Sequence, residues 1–288
     1  MTEAVIDVGS GSVRLLLKGH KKTVMTKLGE GLSATGRLCE EAMERTISVI
    51  KSFVDEARRS SERIYLFATE AVRAASNRAD FIRRVEKECG IPLEVISGNE
   101  EAEIALLGAS MTGDATVVDI GGASVEIVSG DGEKMLYVKS LPLGVVRLTE
   151  QSGGNPDLVR ANAARGIAKY GDVKLRPELI GVGGTLTSLA AMKLGLTEYS
   201  PEVVNGSMLE KKDIEKLIGE LCALGDERAI KERFPVLPDM RCGLITAGAI
   251  LADELLGSLG AESIKVSESD NLDGYLRYKQ REMFRSDL

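Results

Sequence analysis

The fold is decided by the stretch Asp7-Val8-Gly9-Ser10-Gly11-Ser12-Val13-Arg14-Leu15, in which a turn of small residues separates two apolar runs. The same pattern returns 112 residues later as Asp119-Ile120-Gly121-Gly122-Ala123-Ser124-Val125-Glu126-Ile127. Asp, Gly, Ser and Val stand at matching offsets in the two stretches. A repeated unit of this kind indicates a duplicated architecture. We therefore expect two similar halves, each opened by a β-hairpin, that face each other across a cleft.

The sequence around the hairpins alternates between strand and helix periodicity. A third strand is predicted at 23–28, a helix at Glu40–Arg58 and a further strand at 63–67. The order starts again at 116–119, and a last amphipathic helix is predicted over about 271–284. Strands that alternate with helices indicate an α/β protein.

Composition bounds both size and chemistry. The 288 residues suggest two domains. His20 is the single histidine, which argues against catalytic triads and histidine-rich metal sites, so an enzymatic base is expected to be a carboxylate. The net charge of −7 argues against nucleic-acid and anionic-membrane partners. The longest uncharged run, 179–192, is short for a membrane span and the N-terminus lacks a basic signal start, so we expect a cytoplasmic protein.

Three glycine-rich loops suit phosphate binding. A turn of small residues presents backbone N–H groups without obstruction, and a plain β-hairpin is the alternative interpretation of each one alone. The third loop, 181–187, joins a strand to a helix, where N–H groups and the helix dipole favour an anion. The predicted phosphate-binding residues of the three loops are Gly9, Ser10, Gly11, Ser12, Gly121, Gly122, Ala123, Ser124, Gly183, Gly184 and Thr185.

Acidic residues near the loops are candidates for the chemistry. Glu101 lies in the first turn of a predicted helix between the two halves, where a carboxylate could activate water, although acids there commonly serve the helix dipole. Asp7, Asp119 and Glu126 are candidate ligands for a hydrated Mg²⁺ that neutralises phosphate. Arg73 follows a strand and is a candidate phosphate ligand, with a surface salt bridge as the alternative.

Seven motifs in order make the sequence resemble the Ppx/GppA phosphatases, a family of exopolyphosphatases and guanosine pentaphosphate phosphohydrolases. They are the first hairpin, 28–32, the segment from Ala68 to Asn77, 96–102, 119–122, 141–144 and 181–185. The resemblance implies two ribonuclease-H-like domains of the actin, sugar-kinase and chaperone ATPase superfamily that flank a cleft. We place the first domain at 1–97 plus the C-terminal helix 272–288, and the second at 98–271.

The resemblance also implies roles for individual residues. Glu101 corresponds to the catalytic glutamate, Asp119 and Glu126 assist with metal and water, and Arg73 joins the glycine loops in binding phosphate. Ala123 replaces a glycine that the family usually has in the second hairpin, and Gly11 stands where asparagine is frequent. Glu103 and Gly243 also depart from the family pattern.

The function expected from these features is Mg²⁺-dependent hydrolysis of the terminal phosphoanhydride bond of inorganic polyphosphate, with short chains favoured by the acidic charge. Hydrolysis of guanosine pentaphosphate is the close alternative. A catalytically weak sensor of nucleotide or polyphosphate is an alternative from another class, and a kinase of the same superfamily is a third. A homodimer is implied by the resemblance alone.

Overall fold

A computed structural model describes residues 2–110, 114–131, 134–269 and 271–286, with side chains through residue 281. The strands are β1 Glu3–Val8, β2 Ser12–Leu17, β3 His20–Met25, β4 Arg63–Ala68, β5 Glu94–Val95, β6 Asp114–Ile120, β7 Val125–Asp131, β8 Met135–Leu141, β9 Glu178–Val182, β10 Met208–Glu210 and β11 Ser263–Val266. The helices are α1 Leu32–Thr35, α2 Glu40–Arg58, α3 Glu70–Ala74, α4 Arg78–Cys89, α5 Gly98–Ala109, α6 Val145–Ser152, α7 Pro156–Ile167, α8 Gly184–Lys193, α9 Pro201–Val204, α10 Lys211–Leu224, α11 Glu227–Arg233, α12 Asp239–Leu259 and α13 Asn271–Ser286.

Two mixed sheets repeat one topology, as the duplicated hairpin predicts. The first sheet has the order β3-β2-β1-β4-β5 and the second the order β10-β11-β9-β6-β7-β8. In each, three antiparallel strands are followed by parallel partners of the first strand, β4 beside β1 and β9 beside β6. The fold class is the predicted one: two ribonuclease-H-like α/β halves.

Helices α5 and α13 fill the space between the sheets. Helix α13 packs on β1, β2 and α5, and α5 packs on β6, β7 and β8. The outer face of the first sheet is covered by α2, α3 and α4. The larger core, behind the second sheet, includes α7, α8, α10 and α12. The domain division at 97/98, with the last helix returning to the first half, remains our proposal.

Helix α12 is long and apolar enough to cross a membrane by length and composition, although no such segment was expected from the sequence. Most of its residues are buried in the core of the second half, among them Ile245, Leu251 and Leu255. A helix that is apolar on all sides is also what the interior of a large globular core requires.

The elements depart from the sequence predictions at short segments. The third strand is His20–Met25, so it starts earlier than the predicted 23–28 and ends before Leu28. Helices α6 and α11 and strand β10 have no counterpart in the predictions. These elements span three to eight residues, too few to establish a clear period.

Gly274 lets α13 touch the backbone of α5. A Cβ built there would overlap the carbonyl oxygen of Ile104 and lie 3.0 Å from the amide nitrogen of Gly108. We expect Gly274→Ala to destabilise the protein by about 3 kcal/mol, lowering Tm by roughly 6 to 12 °C in calorimetry. Gly219→Ala on α10 is the control, since nothing lies within 4 Å of that Cβ and alanine favours a helix by about 0.5–1 kcal/mol. Equal Tm values for the two variants would contradict the close packing.

Candidate functional site

The tips of the two hairpins meet across a cleft of about 850 Å³ between the halves. A Cβ at Gly122 would overlap the hydroxyl oxygen of Ser10 and lie 3.3 Å from the amide nitrogen of Gly11. The cleft is lined by all the predicted site residues except Arg73, namely Asp7, Gly9, Ser10, Gly11, Ser12, Glu101, Asp119, Gly121, Gly122, Ala123, Ser124, Glu126, Gly183, Gly184 and Thr185.

The hairpin amides divide into two groups. The amide of Gly9 donates to the carbonyl of Ser12, and that of Gly121 to the carbonyl of Ser124, both at 3.0 Å. These two glycines therefore shape the turns. Within the described part of the chain, the N–H groups of the tip residues have no hydrogen-bond partner: Ser10, Gly11, Gly122 and Ala123. Ala123 has no positive φ, so its methyl group is compatible with the turn.

The duplication differs at the position opposite each aspartate. Asp7 pairs across the first hairpin with Arg14, which donates Nε to Oδ2 of Asp7 at 3.0 Å. Asp119 pairs across the second hairpin with Glu126. One aspartate thus has a cation beside it and the other a second carboxylate. Because like charges repel in a buried site, a cation would be favoured at the second hairpin rather than at the first.

Glu101 lies in the first turn of α5. Ser97 caps this helix: its hydroxyl accepts from the amide of Glu100 at 3.2 Å, and Glu100 accepts from the amide of Ser97 at 2.7 Å. Glu100 therefore serves the helix end, whereas the side chain of Glu101 turns inward and is 7% exposed. The alternative interpretation from the sequence, that acidic residues in this turn serve the helix dipole, therefore applies to Glu100 and not to Glu101.

Arg73 holds Glu101 from outside the cleft lining. Its Nη1 and Nη2 both donate to Oε2 of Glu101 at 3.3 Å, and its Nε and Nη2 donate to Oε2 of Glu70 at 3.0 and 2.7 Å. Nη1 also donates to the carbonyl of Ile96 at 2.6 Å. The guanidinium is thus shared between two carboxylates, and the phosphate-binding role predicted for Arg73 remains a prediction.

The buried carboxylates perturb one another. Burial raises the pKa of Glu101 well above its usual range, and the charge of Glu126 adds to this against the opposing charge of Arg73. Burial and the charge of Asp119 raise the pKa of Glu126 to about 8, although a hydrogen bond from Ser140 at 2.6 Å opposes the increase. A carboxylate with a raised pKa is suited to accept a proton near neutral pH.

The raised pKa of Glu126 predicts how stability depends on pH without metal. Between its ordinary pKa of 4.5 and about 8, the folded state holds a proton that the unfolded state has lost. The free energy of unfolding therefore decreases as pH rises from about 4.5, and the contribution of this proton is lost once pH has passed about 8. With EDTA present, we expect the calorimetric Tm to fall between pH 5.5 and 8.5. The fall should be larger by about 5 °C or more than that of the Glu126→Gln variant over the same range. Parallel curves for the two proteins would contradict the shift.

The third glycine loop closes the site on Asp119. Gly183 has φ of +87°, and a Cβ there would overlap Oδ1 of Asp119. Thr185 donates its hydroxyl to the carbonyl of Ile120 at 3.1 Å, which fixes the loop against β6. Helix α8 begins at Gly184, and its first residues line the cleft, a position that suits a bound anion.

The predicted metal ligands fit a hydrated cation only in part. Within the described ranges, no three His, Cys, Asp or Glu side chains converge as a metal site. Asp119 and Glu126 are 7% and 1% exposed and face each other, which is the oxygen donor set that Mg²⁺ favours. Mg²⁺ commonly binds through one or two carboxylates, waters and substrate phosphate. The pair therefore fits such a cation, whereas Asp7 is engaged by Arg14.

Three cleft or interface residues had no assigned role in the sequence. Arg241 lines the cleft and donates to the carbonyl of Gly184 and to the hydroxyl of Ser188. Arg147 on α6 donates to the carbonyl of Ala123 at 3.2 Å. Asn271, the first residue of α13, donates to Oδ2 of Asp119 at 3.2 Å. No local pattern marks them, because each contact joins residues 24 to 152 positions apart.

Residues 4–276 match the sequence profile of the Ppx/GppA phosphatase family. The chain is 31% identical to exopolyphosphatase 2 of Mycobacterium tuberculosis, over 94% of this chain and 96% of that protein. The crystal structure of an Aquifex aeolicus Ppx/GppA family member superposes with a TM-score of 0.79 at 31% identity and covers 98% of each chain. An exopolyphosphatase-like protein superposes with a TM-score of 0.89 at 28% identity, over 98% of this chain and 99% of that one.

Proposed function

The chain belongs to the Ppx/GppA phosphatase family, and we propose that it is an exopolyphosphatase that hydrolyses the terminal phosphoanhydride bond of short inorganic polyphosphate. One observation carries the proposal. Glu101, with its raised pKa, faces the same cleft as two hairpin tips with unused amides and a buried carboxylate pair. A base, an anion cradle and a cation site are the three parts that metal-assisted phosphoryl transfer to water requires.

We assign the chemical roles as follows. The amides of Ser10, Gly11, Gly122 and Ala123 hold the oxygens of the terminal phosphoryl group. Glu101 accepts a proton from a water that attacks the terminal phosphorus in line with the bridging oxygen. The bond from phosphorus to the bridging oxygen breaks, and the shortened chain leaves with that oxygen.

Asp119 and Glu126 are the residues that would hold the cation. When bound, a divalent cation such as Mg²⁺ neutralises charge on the phosphoryl oxygens. Ser140 donates to Glu126 at 2.6 Å, and Asn271 donates to Asp119 at 3.2 Å. Asp7 remains a proposed metal ligand, although Arg14 offsets its charge.

Guanosine pentaphosphate is a second candidate substrate, favoured by two other residues that line the cleft. Tyr199 and Arg241, which contacts the third glycine loop at Gly184, offer planar groups on which a purine base could stack. The net charge of −7 favours short chains over long polyphosphate, which would need an extended basic track.

The test is phosphate release from tripolyphosphate, long-chain polyphosphate, guanosine pentaphosphate and ATP, each with Mg²⁺ and with EDTA. We expect the highest kcat/KM with tripolyphosphate, and no release in EDTA. Faster release from guanosine pentaphosphate would transfer the assignment to the second candidate. A rise in Tm with tripolyphosphate and no release from any substrate would instead identify a sensor.

A further inference from the structure

We propose that Asn271 is a positioning residue of this site, which orients Asp119 through its amide nitrogen and presents its amide oxygen to the hydrated cation. The inference rests on the proposed metal-assisted hydrolysis. It assigns a task in that reaction to the residue at which the chain crosses from the second half back to the first.

The contacts of Asn271 are those of a buried residue inside the cleft. Its side chain lines the cleft and is 3% exposed. Nδ2 donates to Oδ2 of Asp119 at 3.2 Å. Oδ1 is buried and has no hydrogen-bond partner in the part of the chain that the structure describes. Exchanging the amide atoms would set oxygen against the Asp119 carboxylate, so the observed orientation is the favourable one.

An unpartnered buried acceptor points to a missing ligand. Leaving such an oxygen unsatisfied destabilises the folded state, and most buried polar atoms in folded proteins have a partner. The nitrogen of the same amide group contacts Asp119, one of the two carboxylates that pair across the second hairpin. A neutral amide oxygen is a common ligand for hard cations and an acceptor for the water around them. The cation site therefore has three oxygen-bearing side chains: Asp119, Glu126 and Asn271.

The position of Asn271 is fixed by the first half of the molecule. Leu272 and Tyr275, the neighbours on α13, are each 1% exposed, and Tyr275 stacks on Phe67 of β4 at 4.3 Å between ring centroids. Tyr278 on the same helix donates to Glu100 of α5 at 3.3 Å. Asn271 thus joins Asp119 of the second half to the helix pair that carries Glu101. Asn271 thereby fixes the position of Asp119, the proposed cation ligand, relative to Glu101, the proposed base. Catalysis requires that such groups are held rigidly in the reactive geometry.

The experiment compares Asn271→Leu with Asn271→Asp. Leucine keeps the volume and removes both polar atoms. Aspartate keeps an oxygen, replaces the donor to Asp119 by a second oxygen and adds a negative charge whose attraction for the cation offsets the lost hydrogen bond. Mn²⁺ affinity is measured by electron paramagnetic resonance with tripolyphosphate present, in the Glu101→Gln background so that no substrate is consumed. We expect about tenfold weaker Mn²⁺ binding for leucine and a change within about threefold for aspartate. In the protein that retains Glu101, Asn271→Leu should raise the Mg²⁺ concentration needed for half-maximal activity to a similar extent.

Asn77→Leu is the matched control, because the Asn77 amide bonds the backbone of Leu38 in the first half. It should reduce Tm without changing Mn²⁺ affinity. Unchanged Mn²⁺ affinity in Asn271→Leu would overturn the proposal, as would equal losses in the leucine and aspartate variants. Failure of the proposed function is a separate result: the protein with Asn271 and Glu101 intact would then release no phosphate, whatever the Mn²⁺ affinities.

Discussion

Replacement of Glu101 by glutamine is expected to lower kcat for tripolyphosphate by about 10²–10⁴-fold with little change in KM. Glutamine preserves the shape of the side chain but cannot accept the proton of the attacking water. The carboxylate is buried, its pKa is raised, and it lies at the N-terminal turn of α5 facing the hairpin tips. The measurement is the steady-state rate of phosphate release at saturating Mg²⁺, with Tm recorded to show that the fold is intact.

Glu100→Gln is the matched control for this variant. It removes the same charge one residue earlier on the same helix. Burial acts to raise the pKa of Glu100, but hydrogen bonds from Ser97 and Tyr278 outweigh it and lower that pKa. Because Glu100 caps the helix, we expect a loss of about 1 kcal/mol in stability and activity within about threefold. Equal losses of kcat in both variants would argue for a general charge effect and against Glu101 as the base.

Replacement of Arg73 by glutamine is expected to shift the activity profile to higher pH by about one unit or more. The charge of Arg73 lowers the pKa of Glu101 against the effects of burial and of Glu126. Without this charge, Glu101 stays protonated to higher pH, so the rise of kcat/KM with pH occurs at higher pH. Glu70 and Glu101 also lose their shared cation, which should cost about 2–4 kcal/mol for this partly buried network.

The same measurement separates two roles of Arg73. If the guanidinium chiefly binds phosphate, as the family resemblance implies, Arg73→Gln should raise KM and leave the pH at which kcat/KM rises unchanged. Arg83→Gln is the control, since that side chain is 75% exposed and pairs only with Asp80 at 3.0 Å among its described neighbours. Arg83→Gln should leave both the pH at which kcat/KM rises and the Tm nearly unchanged.

The cleft is predictable from sequence because its parts are local. Both hairpins, the loop at 181–187 and the acidic turn at 99–101 are short segments whose geometry follows from glycine content and the neighbouring strand or helix. The confirmed fold then brings them together, since the ends of corresponding strands in two similar sheets face one cleft. Helix α6 escaped prediction because its eight residues follow a glycine without a capping side chain.

The interaction partners of the charged residues could not be predicted from the sequence. The 112-residue repeat aligns Arg14 with Glu126, but only the strand register shows that each lies opposite its own aspartate. That register makes Asp7 an ion-paired carboxylate and Asp119 half of a carboxylate pair. Likewise, the two glutamates that share Arg73 lie 3 and 28 residues away along the chain.

The sequence by itself determined the duplicated α/β architecture, the three glycine-rich loops and the acidic helix turn that carries Glu101, our proposed base. These depend on backbone conformation and periodicity, which neighbouring residues control. Only the tertiary structure decided which charges are neutralised, how far burial shifts the pKa of Glu126, and that Asn271 contacts Asp119 from 152 residues away. Electrostatic energies depend on distance and burial in three dimensions, and neither quantity follows from spacing along the chain.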